Sequence, residues 1–209
     1  MTNTRYTRKN SLRLEGYDYR WPGTYFVTIC TEGRENLFGS IVDSKVVLNE
    51  LGEIVKREWE KSGEIRASVE LDKFVIMPNH IHGIIILNDI SNDQYGGAEG
   101  HPEATKVVGA DGNPPAPSDT RILGARTEST YPRTVPVSTV VAAFKRASTK
   151  SINDQRGTRG DSVWQRGFFD RIIRNEHEMG LARQYIVDNP MNWELDSNNS
   201  DHRGDFWEE

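Results

Sequence analysis

The chain has 209 residues, 35% hydrophobic and 9% aromatic, enough for one buried core, so a single domain with appendages is expected. No stretch approaches the roughly 20 apolar residues that cross a bilayer, the start MTNTRYTRKNSLRL lacks the apolar run of a secretion signal, and the single cysteine excludes an internal disulfide; a cytoplasmic protein is expected. The net charge of -5 speaks against a nucleic-acid partner only until its distribution is read: residues 194–209 hold six acids and one Arg, residues 140–174 hold eight Lys and Arg against three Asp, and residues 1–20 hold five against two.

In chain order, GTYFVTICT at 23–31 is rich in aromatic and β-branched residues behind Pro22 and Gly23, which predicts a strand. Cys30 within it reads as a small buried hydrophobe. KVVL at 45–48 is a shorter strand candidate. Asn49 is placed to cap a helix whose apolar positions Leu51, Ile54, Val55 and Trp59 follow the 3.6-residue period and which should end near Gly63. VELDKFVIM at 69–77 and HIHGIIIL at 80–87 predict two adjacent antiparallel strands joined at Pro78 and Asn79. Residues 88–137 shift to Gly, Pro, Ala, Asp and Ser without periodicity, a flexible insertion in which His101 reads as a solvated loop residue. Ser138 is the expected cap of the next helix, with Val140, Val141, Phe144 and Ala147 on one stripe and Lys145, Arg146 and Lys150 on other faces. VWQRGFFDRIIR at 163–174 predicts a further strand. Asn175 with Glu178 three residues on marks the start of a last helix, which Pro190 stops. This order, with hairpin-like connections, predicts an α+β domain over 1–193 whose mainly antiparallel sheet is backed by helices, followed by an acidic tail at 194–209.

Two sets of residues carry the chemistry. Side chains alternate along a strand, so His80 and His82 share a face. Two imidazoles with oxygen donors suit Mg or Mn, whereas a structural zinc site wants four N or S ligands. Taken alone, the spacing fits two satisfied sheet histidines equally well. On the last helix, Met179, Ala182 and Ile186 follow a core stripe while Tyr185 and Asn189, four apart, lie on a neighbouring one. A phenol has an ordinary pKa of about 10, so its attack near neutral pH benefits from a metal that polarises the phosphate and neutralises developing charge. Read singly, Tyr185 is also a core tyrosine and Asn189 also a C-cap before Pro190.

The blocks GYDYRWPGTYFVTICT, FVIMPNHIHGIIIL, VVAAFKRASTKSIN, VWQRGFFDRIIRNE and YIVDNPMNW, in this order, resemble the single-tyrosine HUH transposases, specifically the REP-associated tyrosine transposases. The resemblance covers about residues 11–88 and 138–193, leaving out the insertion and the tail. It implies a ferredoxin-like fold with the two histidines on a central strand. It further implies His80, His82 and Asn189 as metal ligands and Tyr185 as the nucleophile, attacking DNA to leave a covalent 5'-phosphotyrosine and a free 3'-hydroxyl. The implied substrate is single-stranded or hairpin DNA, for which Arg13, Lys145, Arg146, Lys150, Arg171 and Arg174 are the candidate contacts; Trp21 and Trp164 are either stacking platforms or core. The acidic tail is expected to cover the basic surface when DNA is absent. The alternatives are a catalytically inactive hairpin-DNA-binding protein on the same fold and a metal-dependent hydrolase. Monomer and homodimer both remain open, the latter allowing Tyr185 of one chain to serve the histidines of another.

Overall fold

The computed structural model describes residues 21–89 and 135–199. Arg13, His101, nearly all of the insertion and most of the tail lie outside the described residues.

Four strands make one sheet: β1 (Gly23–Cys30), β4 (Val69–Ile76), β5 (His80–Leu87) and β6 (Phe169–Ile173), ordered β4-β5-β1-β6 and antiparallel at every junction. Helix α1 (Glu50–Glu64) connects β1 to β4, and α2 (Val137–Arg156) connects β5 to β6. This is the βαββαβ order of a ferredoxin-like fold, with the two histidines on the inner strand β5, as expected. A small hairpin of β2 (Gly39–Val42) and β3 (Lys45–Leu48) precedes α1, and α3 (Glu176–Asp188) follows β6.

Strand alternation gives the sheet two different faces. Tyr25, Val27, Ile29, Ile81 and Ile85 point into the main core, where Ile54, Val55 and Trp59 of α1 and Val140, Val141, Phe144 and Ile152 of α2 cover them. Gly83 shares that face by alternation, and a side chain is excluded there because a Cβ would collide with the Trp59 indole. The opposite face carries Phe26, Thr28, His80, His82 and Ile84, and α3 covers only part of it through Met179, Ala182 and Ile186. The helix ends follow capping chemistry: the Asn49 side chain accepts from the Gly52 N–H, and Asn175 accepts from the Glu178 N–H, each at 2.9 Å. Gly157, at φ 68°, closes α2 in the left-handed conformation.

Three boundaries differ from expectation. Helix α2 begins at Val137 after Pro136, with no side-chain cap, so Ser138 is inside the helix. Proline before the first turn presets the backbone without a hydroxyl. The strand expected over 163–174 pairs only from Phe169 to Ile173; upstream, Trp164 makes an isolated bridge to Thr31, and the Lys145 ammonium holds the carbonyls of Gln165 and Gly167. Strand β2 was missed because its turn, Asp43-Ser44, takes positive φ at both residues without the Asn-Gly or Asp-Gly signal. No helix among the described residues is long and apolar enough to cross a membrane.

Candidate active site

His80 and His82 leave β5 on the face shared with Thr28 and are almost fully buried. Each ring is fixed from behind. The Asn79 amide nitrogen donates to the carbonyls of Arg34 (3.1 Å) and Asn198 (2.7 Å), which turns its oxygen towards His80 Nδ1 at 2.8 Å. An amide oxygen only accepts, so His80 Nδ1 carries the proton and Nε2 presents a lone pair. His82 Nδ1 lies 2.8 Å from the Thr28 hydroxyl, which can donate or accept and therefore suits either tautomer. The two Nε2 atoms face each other at 3.0 Å. Trp193 stacks over His80 and Phe26 over His82.

Burial, with Arg34 adding to it, pushes the His80 pKa down to about 3; burial, then His80, pushes His82 down to about 3, Asp196 opposing. Both rings are thus neutral. The Asp196 carboxylate lies 3.6 Å from His80 Nε2, and this contact is not an ion pair, because a neutral imidazole brings no charge to it.

Tyr185 sits on α3 at 48% exposure, its hydroxyl 3.5 Å from His82 Nε2 and its ring edge-on to both His82 and Phe26. Burial and, next, the Asp196 charge raise the phenol pKa, while the nearby Asn189 pulls it partly back. Asn189, one turn on, is buried; its amide nitrogen reaches Asp196 at 3.3 Å and its oxygen has no hydrogen-bond partner among the described residues. The phenol is accordingly open to a ligand yet beside the imidazoles.

The donors fit a divalent metal. Ligand atoms of His80, His82 and Asp196 lie within 4.8 Å of one another, all buried. The 3.0 Å between the two imidazole nitrogens is the spacing of adjacent ligands at about 2.1 Å on an octahedral ion. Neutral rings and an unpartnered buried amide oxygen are what such an ion uses.

Asp196 is the residue that sequence reading missed, counting it only as part of an acidic tail. After Pro190 the chain turns through a 3-10 segment at Trp193–Leu195 and comes back over the site. There the Ser197 carbonyl accepts from Arg34 at 2.6 Å and the Asn198 carbonyl from Asn79. Thr28 was expected only as a strand residue and Asn79 only as a turn residue, since the partners that orient the rings are set by register and by a chain reversal. Cys30 is buried as expected, and burial pushes its thiol pKa up.

A cleft of about 550 Å3 opens beside Tyr185, lined among others by His82, Arg34, Arg171, Phe169 and Leu181. Of the candidate DNA contacts, Arg171 lies in this cleft. Arg146 and Arg174 are exposed, and exposed Lys150 pairs with Asp154 at 2.7 Å. Half-buried Lys145 serves the two backbone carbonyls already named.

Fold and site together define a ferredoxin-like protein with a buried His-x-His pair facing a helix-borne tyrosine. No family model matches the chain. A Haemophilus influenzae protein, called uncharacterized, is 34% identical over 188 residues, covering 90% of this chain and 91% of that one. The chain belongs to the same family as this protein. Among solved structures, it is similar to a REP-associated tyrosine transposase bound to a REP hairpin, at 17% identity and a TM-score of 0.49 over 87% of this chain and 74% of the other. It is also similar to a candidate transposase from Deinococcus radiodurans R1, at 15% identity and a TM-score of 0.36 over 84% and 95%.

Proposed function

We propose that the chain is a metal-dependent DNA strand-transferase and nicking endonuclease that cuts and rejoins single-stranded or hairpin DNA through a covalent 5'-phosphotyrosine on Tyr185. The observation that carries this reading is the placement of the Tyr185 hydroxyl 3.5 Å from His82 Nε2 within one chain. The resemblance of the sequence blocks to REP-associated tyrosine transposases supports it, as does the donor set at His80, His82 and Asp196.

His80 and His82 would hold Mg or Mn, with Asp196 and the Asn189 oxygen as the oxygen donors. When bound, the ion neutralises charge developing on the phosphate and lowers the cost of ionising the phenol. The chain's own residues do the rest. Asn79 and Thr28 keep the imidazoles aimed, so no reorientation is needed at the moment of reaction. Tyr185 attacks phosphorus in line: its oxygen–phosphorus bond forms as the bond to the 3'-oxygen breaks, and the phenol proton is balanced by the proton taken up on the departing 3'-hydroxyl. Attack by another 3'-hydroxyl reverses the exchange and joins strands without an external energy source. Because one chain supplies tyrosine and histidines together, the same reading holds for a monomer or for each half of a homodimer.

The test incubates the protein with Mn or Mg and labelled hairpin DNA bearing single-stranded flanks, then separates products under denaturing conditions. A protein–DNA adduct is expected with the wild type and none with Tyr185→Phe. If the adduct persists in Tyr185→Phe, the proposal fails. Mixing Tyr185→Phe with His80→Ala checks the single-chain assembly: no activity should return, whereas restored cleavage would show a site shared between chains.

A further inference from the structure

Beyond Tyr185 the cleft has a wall that the chemistry above does not use. Phe169 lies on the edge strand β6 opposite Thr28, and Leu181 lies one helical turn before Tyr185. They are 53% and 59% exposed, although other apolar side chains on this face are covered by α3. Both line the cleft, with the Arg171 and Arg34 guanidiniums alongside. Glu178 is the only carboxylate among the lining residues, and its Oε2 already accepts the Arg174 N–H at 3.1 Å.

An apolar wall rimmed by cations fits a ligand with a flat apolar body and a negative backbone. A cleft of about 550 Å3 falls in the range of roughly 300–1,000 Å3 that encloses small organic groups. An aromatic face beside guanidiniums is also how proteins hold unpaired bases, which stack irrespective of identity while phosphates meet Arg. A paired base in duplex DNA has no free face to offer.

We propose that Phe169 and Leu181 form a stacking subsite for one unpaired base adjacent to the phosphate that Tyr185 attacks, with Arg171 and Arg34 contacting the backbone on either side of it. Its position next to the attacked phosphate rests on the reading of Tyr185 as nucleophile. The subsite makes the enzyme select single strands at the cut itself, independently of any recognition of a hairpin.

The experiment measures binding of a fluorescent thymidine homopolymer, and of the same backbone made of abasic sugars, to the full chain. Loss of one base stack, about 1–3 kcal/mol, means that Phe169→Ala should bind the homopolymer roughly tenfold more weakly. Phe169→Trp, which keeps a stacking face, should bind like the wild type and serves as the control for folding. On the abasic strand Phe169→Ala should match the wild type, while Arg171→Gln should weaken both strands. Unchanged homopolymer binding by Phe169→Ala, or an equal loss on both strands, overturns the subsite. The adduct assay separates this from the enzymatic reading: a normal adduct with unaffected Phe169→Ala binding removes only the subsite, and base-dependent binding without any adduct removes only the nuclease.

Discussion

The two faces of the four-stranded sheet are made by alternate residues of the same strands and could hardly differ more. On one side Ile81, Gly83 and Ile85 of β5 meet two helices in a packed apolar core. On the other, His80, His82 and Ile84 meet a single helix, with a much smaller apolar cluster and an open cleft beside it. One side supplies stability, and the other keeps two neutral imidazoles out of water, at a desolvation cost that Leu or Val at those positions would not carry. The polar face tolerates its burial because Asn79 and Thr28 give the two rings hydrogen-bond partners, on strands whose other side is packed against two helices.

The largest effect that tests this division is a stability loss without a chemical cause. Trp59, which packs on Gly83 and edge-on to Phe144, should cost about 3–5 kcal/mol when changed to Ala, measured by urea unfolding. A loss below about 1 kcal/mol would mean that α1 does not carry the core in this way. Next, Mn should raise the stability of the wild type by about 2.7 kcal/mol at a hundredfold excess over its Kd and leave His80→Ala/His82→Ala unmoved. Thr28→Val, which removes the hydroxyl behind His82, should need about 10- to 100-fold more Mn for the same rise. Equal titrations would show that Thr28 does not orient the ring.

A further test is the acid dependence of the metal-free protein. The two imidazoles have pKa values of about 3 when folded and about 6.5 in an unfolded chain. Below pH 6.5 the unfolded chain therefore binds more protons, and stability present above that value is lost as pH falls towards 3. The double alanine variant should give a flatter profile, and identical profiles would place the acid sensitivity elsewhere. The smallest effect concerns Asp72, whose carboxylate takes two hydrogen bonds from Arg183 of α3, at 2.9 and 2.6 Å. The Arg183 hydrogen bond lowers its pKa, so its contribution is present at neutral pH and disappears as the carboxylate protonates. Asp72→Asn should lower the urea midpoint slightly at pH 7 and not at strongly acid pH; a constant difference would indicate a role other than charge.

Much of this architecture was legible beforehand where the determining interactions are local. Asn49 and Asn175 announced helix starts because a cap bonds a backbone group three residues away. The shared face of His80 and His82 followed from pleating alone, and Tyr185 was separable from the core stripe of Met179 and Ile186 by helical period. The start of α2 was misplaced by two residues, since Ser138 is a better cap by type but Pro136 already sets the first turn. The end of the domain was harder: residues 194–199 read as the beginning of a charged tail, yet Asp196 is among the buried groups of the site.

The sequence by itself determined the kinds of element, their order, which strand carries the imidazoles and which helix carries the phenol, because periodicity and capping act over a few residues. Only the tertiary structure decided that Asp196 joins them, that Asn79 and Thr28 set the ring orientations, and that Arg34, Phe169 and Leu181 border one cleft. Those contacts close over long separations, 119 residues from Asn79 to Asn198 and 163 from Arg34 to Ser197, and such pairings depend on strand order and chain reversals that no local pattern encodes.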